Sequence, residues 1–318
     1  IRDYKVTGVQ TCALPIYHQR HQRVRGDVIG QDCRFIDSRN RLPDVDKRDS
    51  GDDLLMTIQA ETGYFSPESV TWRIHSDPSM LVGGIRALLE QALHPGAMSG
   101  VAAHSNFRED AWGRLQRTGD YVSTLTFGTK DQSDVLTARV RKIHSTLKLD
   151  DPHLLLWVHM AMVDAFLDTA LRSGLVLREE EQDQYISEMV TFAMLVGIKT
   201  SDVPSNRAQL AEYFRTIAPE LSASDDAKRA ALFVALPPLP PLLRFGTPIA
   251  PLWGGIATLA ASSLPLWARK LYGWPTPPGS KQATDLALQT TRLALSTLPR
   301  WFRESPQLRS ARARLRSA

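Results

Sequence analysis

Residues 151–174, DPHLLLWVHMAMVDAFLDTALRSG, constrain the fold more than any other stretch of the chain. Asp151 and Pro152 suit a helix start, and Gly174 suits its stop. The neighbouring runs follow the same rule. SMLVGGIRALLEQAL (79–93) places Leu81, Ile85, Leu88, Leu89 and Ala92 on one face at three-and-four spacing. The HisPro pair at 94–95 is expected to end that helix. Further helices are predicted over 109–125, 132–148, 179–197 and 205–221, the first opening on two acids that complement a helix N-terminus. In 132–148 the apolar positions are Leu136, Val140, Ile143 and Leu147. No alternating strand run and no internal repeat interrupts the series. The reading is all-α, a single multi-helix domain over residues 56–300.

The front of the chain is different. Residues 6–16, VTGVQTCALPI, show neither helical nor strand period, and residues 1–16 resemble a translated DNA-sequencing adapter. Residues 17–55 are charged and unpatterned. Residues 1–55 are therefore expected to be a non-native or disordered extension, with Met56 as the start. Both cysteines, Cys12 and Cys33, fall in it, so the remainder has no disulfide framework, thiolate metal site or cysteine nucleophile. No secretory signal follows Met56; a cytoplasmic location is the expectation, with peripheral membrane association as an open addition.

Charge is local. Without residues 1–55 the chain holds 28 basic and 25 acidic residues. Six arginines (Arg300, Arg303, Arg309, Arg312, Arg314, Arg316) lie in the tail from Ser296, against Glu304 alone. The body is near neutral, which argues against a nucleic-acid groove. Residues 301–318 are read as a basic tail, either a solvated terminal helix or a peripheral membrane contact. The composition shifts after Leu232 to a proline-rich stretch, 236–253, and no charge occurs from Phe245 to Ala268. That length approaches a bilayer span, but Pro248, Pro251, Gly254, Gly255 and Pro265 interrupt it. A buried helical hairpin is expected, because irregular backbone is costly in lipid.

Gly-rich phosphate loops, nucleophile elbows and HExxH are all missing. The histidines from residue 56 on are His75, His94, His104, His144, His153 and His159. His144 sits beside Ile143, four residues after Val140, on or next to the buried helix face; it is either a metal-ligating neutral imidazole or a core histidine with satisfied hydrogen bonds. His159 has the same two readings. His94 and His104 flank the small-residue segment PGAMSGVAA, which builds a cavity wall or a tight helix crossing. In RLQRT (114–118), Arg114 and Thr118 share a helix face with Arg117 close by. Two guanidiniums and a hydroxyl there would either hold carboxylates or phosphates, or form a solvated face paired with Glu109 and Asp110.

GGIRALLEQALHP, VAAHSNF, RLQRT with FGT downstream, RVRKIHSTL, HLLLWVHMAMVDAF and YISEMVTFAMLVGI…VPSNRAQLAEYF occur in an order that resembles the MpaB-type and rubber-oxygenase catalytic domain family, over roughly residues 65–300. The resemblance implies an all-helical domain that holds heme b and uses dioxygen on a lipophilic, unsaturated isoprenoid-like or lipid substrate. It implies that His144 is the proximal iron ligand. It also implies that Arg114, Arg117 and Thr118 stand where the family has Arg-x-x-Lys-Thr on the heme pocket. Arg117 departs from that pattern: a guanidinium stays protonated and cannot ligate iron. It would leave the sixth position open or hydrogen-bond to bound oxygen. Arg114 or Arg141 would meet the heme propionates. No carboxylate matches the family's distal acid; Glu90 and Glu109 are the nearest.

Two other readings stay open. One is a non-heme metal enzyme using His94, His104, His144 and His159 with Asp164. The other is a helical heme- or lipid-binding protein without turnover.

Overall fold

The structure, a computed structural model, describes residues 62–104, 111–235 and 249–317. The expected extension 1–55, the start at Met56 and Glu109 lie outside these residues, as do the side chains of Arg114 and His104. The first seven helices are α1 (Val70–His75), α2 (Met80–Gln91), α3 (Pro95–His104), α4 (Ala111–Phe127), α5 (Lys130–Leu147), α6 (Pro152–Arg172) and α7 (Glu179–Val196). They are followed by α8 (Arg207–Ile217), α9 (Asp225–Ala235), α10 (Ile249–Ser263), α11 (Leu266–Tyr272), α12 (Ser280–Thr297), α13 (Arg300–Arg303) and α14 (Pro306–Ser317). No strand occurs among the described residues.

Helix α6 is the axis of the molecule. Asp151 caps its N-terminus by accepting from the His153 N–H, Pro152 stands in the first turn, and Gly174 follows its end at φ +85°. Trp157, Met160, Ala161, Val163, Ala165 and Ala170 are wholly buried, because apolar residues surround the helix on most sides. Truncating Trp157 to alanine would cost about 3–5 kcal/mol on that account. By length and composition α6 is the one described helix able to cross a membrane. Here its apolar surface is used as core.

Two apolar clusters flank it. One joins α6 to α1 and α7 through Ile74, Met160, Val163, Tyr185, Ile186, Met189 and Phe192. The other joins it to α2 and α10 through Val82, Ile85, Leu89, Trp157, Ala161 and Ala260. Helices α2 and α6 form the most extensive pair. Two hydrogen bonds tie them: the Trp157 indole N–H donates to the Gln91 carbonyl and the Gln91 amide donates to the Val158 carbonyl, both at 2.9 Å.

Pro95 ends nothing new. Helix α2 already stops at Gln91, and Pro95 opens α3, where its missing N–H is no loss. Gly100 allows a close approach to the link between α5 and α6: a Cβ there would stand 2.7 Å from Leu149 Cδ2. In the uncharged run, residues 249–268 form α10 and the start of α11; α10 packs on α2 and α12, but Leu252 and Leu266 are exposed, so the run is a half-buried helix pair and not the buried hairpin expected. The basic tail folds back. Leu308 and Ala311 of α14 are buried against Phe127 and Trp72, and Arg314 donates to the Phe127 carbonyl.

Candidate active site

Helices α2, α4, α5, α6 and α7 surround a cleft of about 220 Å³. Its wall is largely apolar: Leu88, Val122, Val140, Ile143, Leu155, Val158, Met162, Phe192 and Val196. Its polar groups are Gln91, Arg117, Thr118, Tyr121, His144 and His159. Three of the predicted site residues, Arg117, Thr118 and His144, therefore meet in one place although they come from two helices.

Each is positioned by local chemistry. Helix α5 begins with a capping box, Thr129 with Gln132, and ends at Lys148 in the left-handed region, φ 55°. This sets the register that turns His144 onto the cleft. Arg117, Thr118 and Tyr121 share one face of α4 at three-and-four spacing. Tyr121 packs edge-on against Phe192, 6.0 Å between centroids.

Among the described residues, His144 Nδ1, His159 Nε2 and the Tyr121 hydroxyl are buried in this cleft without a hydrogen-bond partner. Buried polar groups are normally satisfied, so three orphans lining one cavity point to a ligand. Burial pushes the His144 imidazole down, partly opposed by Asp150, so it is neutral at pH 7 and keeps a lone pair. Burial pushes His159 down to about 4. Burial raises the Tyr121 hydroxyl, with Arg141 opposing, so it stays a neutral donor.

His75 shows what a satisfied imidazole looks like. Its Nδ1 lies 2.7 Å from the Thr126 hydroxyl and its Nε2 3.2 Å from the Tyr185 hydroxyl. Burial takes it to about 3. The difference from His144 is the open nitrogen.

Other expected residues lie elsewhere. Arg141 does not line the cleft; it donates to the Leu195 carbonyl at 2.6 Å and lies over Gly197 (φ +105°), capping the C-terminus of α7. Glu90 is buried on the other face of α2 with Arg86. No carboxylate lines the cleft among the described residues. Of the residues of the non-heme alternative, His144 and His159 share the cleft, while Asp164 and His94 lie elsewhere. Asp164 pairs with Arg86. His94 joins His153 and Glu220, their ligand atoms within 4.8 Å of one another. There His94 Nδ1 accepts from the Gly96 N–H at 3.1 Å, so its Nε2 carries the proton and points it at Glu220. A nitrogen holding that proton is no ligand, and the trio is a hydrogen-bonded knot.

Residues 72–295 match the family model for the catalytic domain of ER-bound oxygenase mpaB/B′ and rubber oxygenase. The chain belongs to this family. Neither a curated protein nor a solved structure matches it. As a member, it is an oxygenase catalytic domain, and dioxygen and an oxidisable substrate are its reactants. The sequence reading did not single out Tyr121 or Gln91, whose places on the cleft depend on how α2 and α4 pack.

Proposed function

We propose that the cleft holds heme b and that the protein oxidises a lipophilic, unsaturated isoprenoid-like or lipid substrate by cleavage of a carbon–carbon double bond or a related oxidation. The observation that carries this reading is His144: a neutral imidazole that meets Arg117 and Thr118 on an apolar cleft. The donor chemistry fits, since iron ligation uses such a lone pair and a macrocycle needs apolar walls. The support is this donor set and not the volume, which is below the usual range of roughly 300–1,000 Å³ for ligand sites. When bound, heme supplies the activation of dioxygen.

The chain's own residues do the rest. His144 anchors the group. Arg117 keeps a permanent positive charge on the cleft wall and donates hydrogen bonds to electron-rich oxygen without releasing a proton. Thr118 and Tyr121 add hydroxyls, and the Tyr121 proton stays on its oxygen. The aliphatic wall excludes water and accepts a hydrocarbon chain.

Purified protein supplied with heme is expected to show a Soret band that His144→Ala largely abolishes, with unchanged helical circular dichroism. A colourless wild type would sink the reading. A heme-loaded protein that consumes no dioxygen with any unsaturated lipid would favour a carrier without turnover.

A second feature suits delivery of such a substrate. Trp301 and Phe302 are 71% and 65% exposed and stand among the tail arginines. Aromatic side chains flanked by cations suit an anionic bilayer surface. We place this face against a membrane from the cytoplasmic side. The protein is expected to float with phosphatidylserine-containing vesicles and less with neutral ones, and Trp301→Ala with Phe302→Ala to reduce flotation. Equal partition into both vesicle types would remove the proposal.

A further inference from the structure

On another face of α2 lies a second and larger opening, a groove of about 430 Å³ lined by α9, α10 and α11. That volume is within the usual range of roughly 300–1,000 Å³ for ligand sites. Leu89 of α2 lines the groove, whereas Leu88 and Gln91 of the same helix line the cleft. Much of its wall is aliphatic: Ala231, Leu232 and Val234 come from α9, and Ala257 and Ala261 from α10. The alanines leave room between the two helices, and hydrogen bonds hold the surroundings in place. The Trp253 indole N–H donates to the Val234 carbonyl at 2.8 Å, and the Tyr272 hydroxyl to the Leu89 carbonyl at 2.7 Å. Tyr272 and Trp274, which also line the groove, stack with 4.4 Å between centroids and 12° between planes.

The groove carries positive charge without a counter-charge. Arg269 is 8% exposed, and among the described residues its side chain donates to the Pro275 carbonyl alone. Lys228, exposed, also lines the groove, and the acid nearby on α9, Asp226, is taken by Arg229. No carboxylate lines the groove among the described residues. Buried charges are normally paired. Arg86, also buried, follows that rule with Glu90, Asp164 and Asp168. Arg269 has only a neutral oxygen. The end of α11 favours a cation, but Lys228 comes from a different helix and is not explained by it.

We propose that this groove binds a single-chain lipid with an anionic head, carboxylate or phosphate. The chain lies along the aliphatic wall and the head meets Lys228 and Arg269. The site is separate from the oxygenase cleft and stands whether or not that cleft holds heme.

The test titrates the full chain by calorimetry with laurate and dodecyl phosphate below their micelle concentrations. Dodecanol supplies the chain without the charge, and butyrate the charge without the chain. Laurate or dodecyl phosphate is expected to bind about tenfold or more tightly than dodecanol, the worth of a charge-assisted hydrogen bond, and the better of the two identifies the head. Butyrate is expected not to bind. Lys228→Gln is expected to remove the preference for the charged head and leave dodecanol unchanged. Ala261→Phe fills the groove and is expected to abolish binding with unchanged helical circular dichroism. Lys228 is exposed, so its variant keeps the test decisive if Ala261→Phe does not fold. Equal affinity for the charged and uncharged chains overturns the proposal. So does a Lys228→Gln that keeps the full preference, or binding that survives in a folded Ala261→Phe. A wild type that sediments as a dimer, dissociates with Ala261→Phe and ignores laurate would give the groove to a second copy of the chain and overturn it as well.

Discussion

Helices α2 and α6 build two polar regions on opposite sides, and they are constructed in opposite ways. On one side, Leu88, Gln91, Leu155, Val158, His159 and Met162 face the cleft, where imidazole and phenol atoms lack partners. On the other, Arg86, 1% exposed, donates to Glu90 at 2.8 Å and pairs with Asp164 and Asp168. Arg172 extends that network to Asp168, Asp285 and the Ser263 carbonyl. The network binds α2, α6, α10 and α12 into one frame. The cleft has polar atoms to spare; the network spends its polar atoms on one another, with Glu90 Oε2 left over. The first is what a ligand site needs, and the second is what holds such a site still.

The comparison can be broken most directly at Arg86. Arg86→Leu leaves the buried Glu90 and the half-buried Asp164 without a guanidinium. It is expected to cost about 3–5 kcal/mol in denaturant unfolding. A loss under about 1 kcal/mol would mean that the network does not hold the frame.

A pH series sharpens the same point. Burial, with Asp164 and Asp168 adding to it against Arg86, raises Glu90 to about 8. The Glu90 Oε2 that accepts nothing is the place for that proton. The unfolded chain releases the proton near 4.5, so stability falls as pH rises from there to about 8. Asp164, also raised by burial, acts in the same direction. His75 and His159 oppose them: their folded values, about 3 and about 4, lie below 6.5, so they add stability as pH rises to that value. Between pH 6.5 and 8 Glu90 acts without that opposition. The wild-type melting temperature should decline across this interval, and Glu90→Gln should flatten the decline. A variant with the wild-type slope would place the proton elsewhere.

The smallest effect is expected in the cleft. His144→Ala removes a ring whose Nδ1 bonds to nothing, and stability should change by no more than about 1 kcal/mol. A large loss would make His144 a structural histidine and bring the two regions closer in kind.

Much of the frame was legible in the chain. Five of the predicted helices lie within a few residues of α2, α4, α5, α6 and α7 because periodicity and caps are local signals. Residues 205–221 divide into α8 and a 3₁₀ turn at Ala218–Glu220. The cleft was partly legible: RLQRT and RKIHSTL stood out, and Arg117, Thr118 and His144 do meet. Arg141 reads from sequence like a cofactor contact, yet the end of α7 lies across from it and takes its guanidinium. The network was not visible at all. Arg86 and Glu90 are four apart on one helix and look like an ordinary surface pair, while Asp164 and Asp168 lie about eighty residues away.

The sequence by itself determined the helices, their ends, the apolar axis at 152–172 and the absence of thiol chemistry from residue 56 on, since each depends on residue types at short spacing. Tertiary structure decided which imidazoles keep an open nitrogen. His75, His144 and His159 are the same side chain on similar helices, and only the groups that arrive from other helices distinguish them. A hydrogen bond needs a partner within about 3 Å, and a single helix cannot say what will stand there.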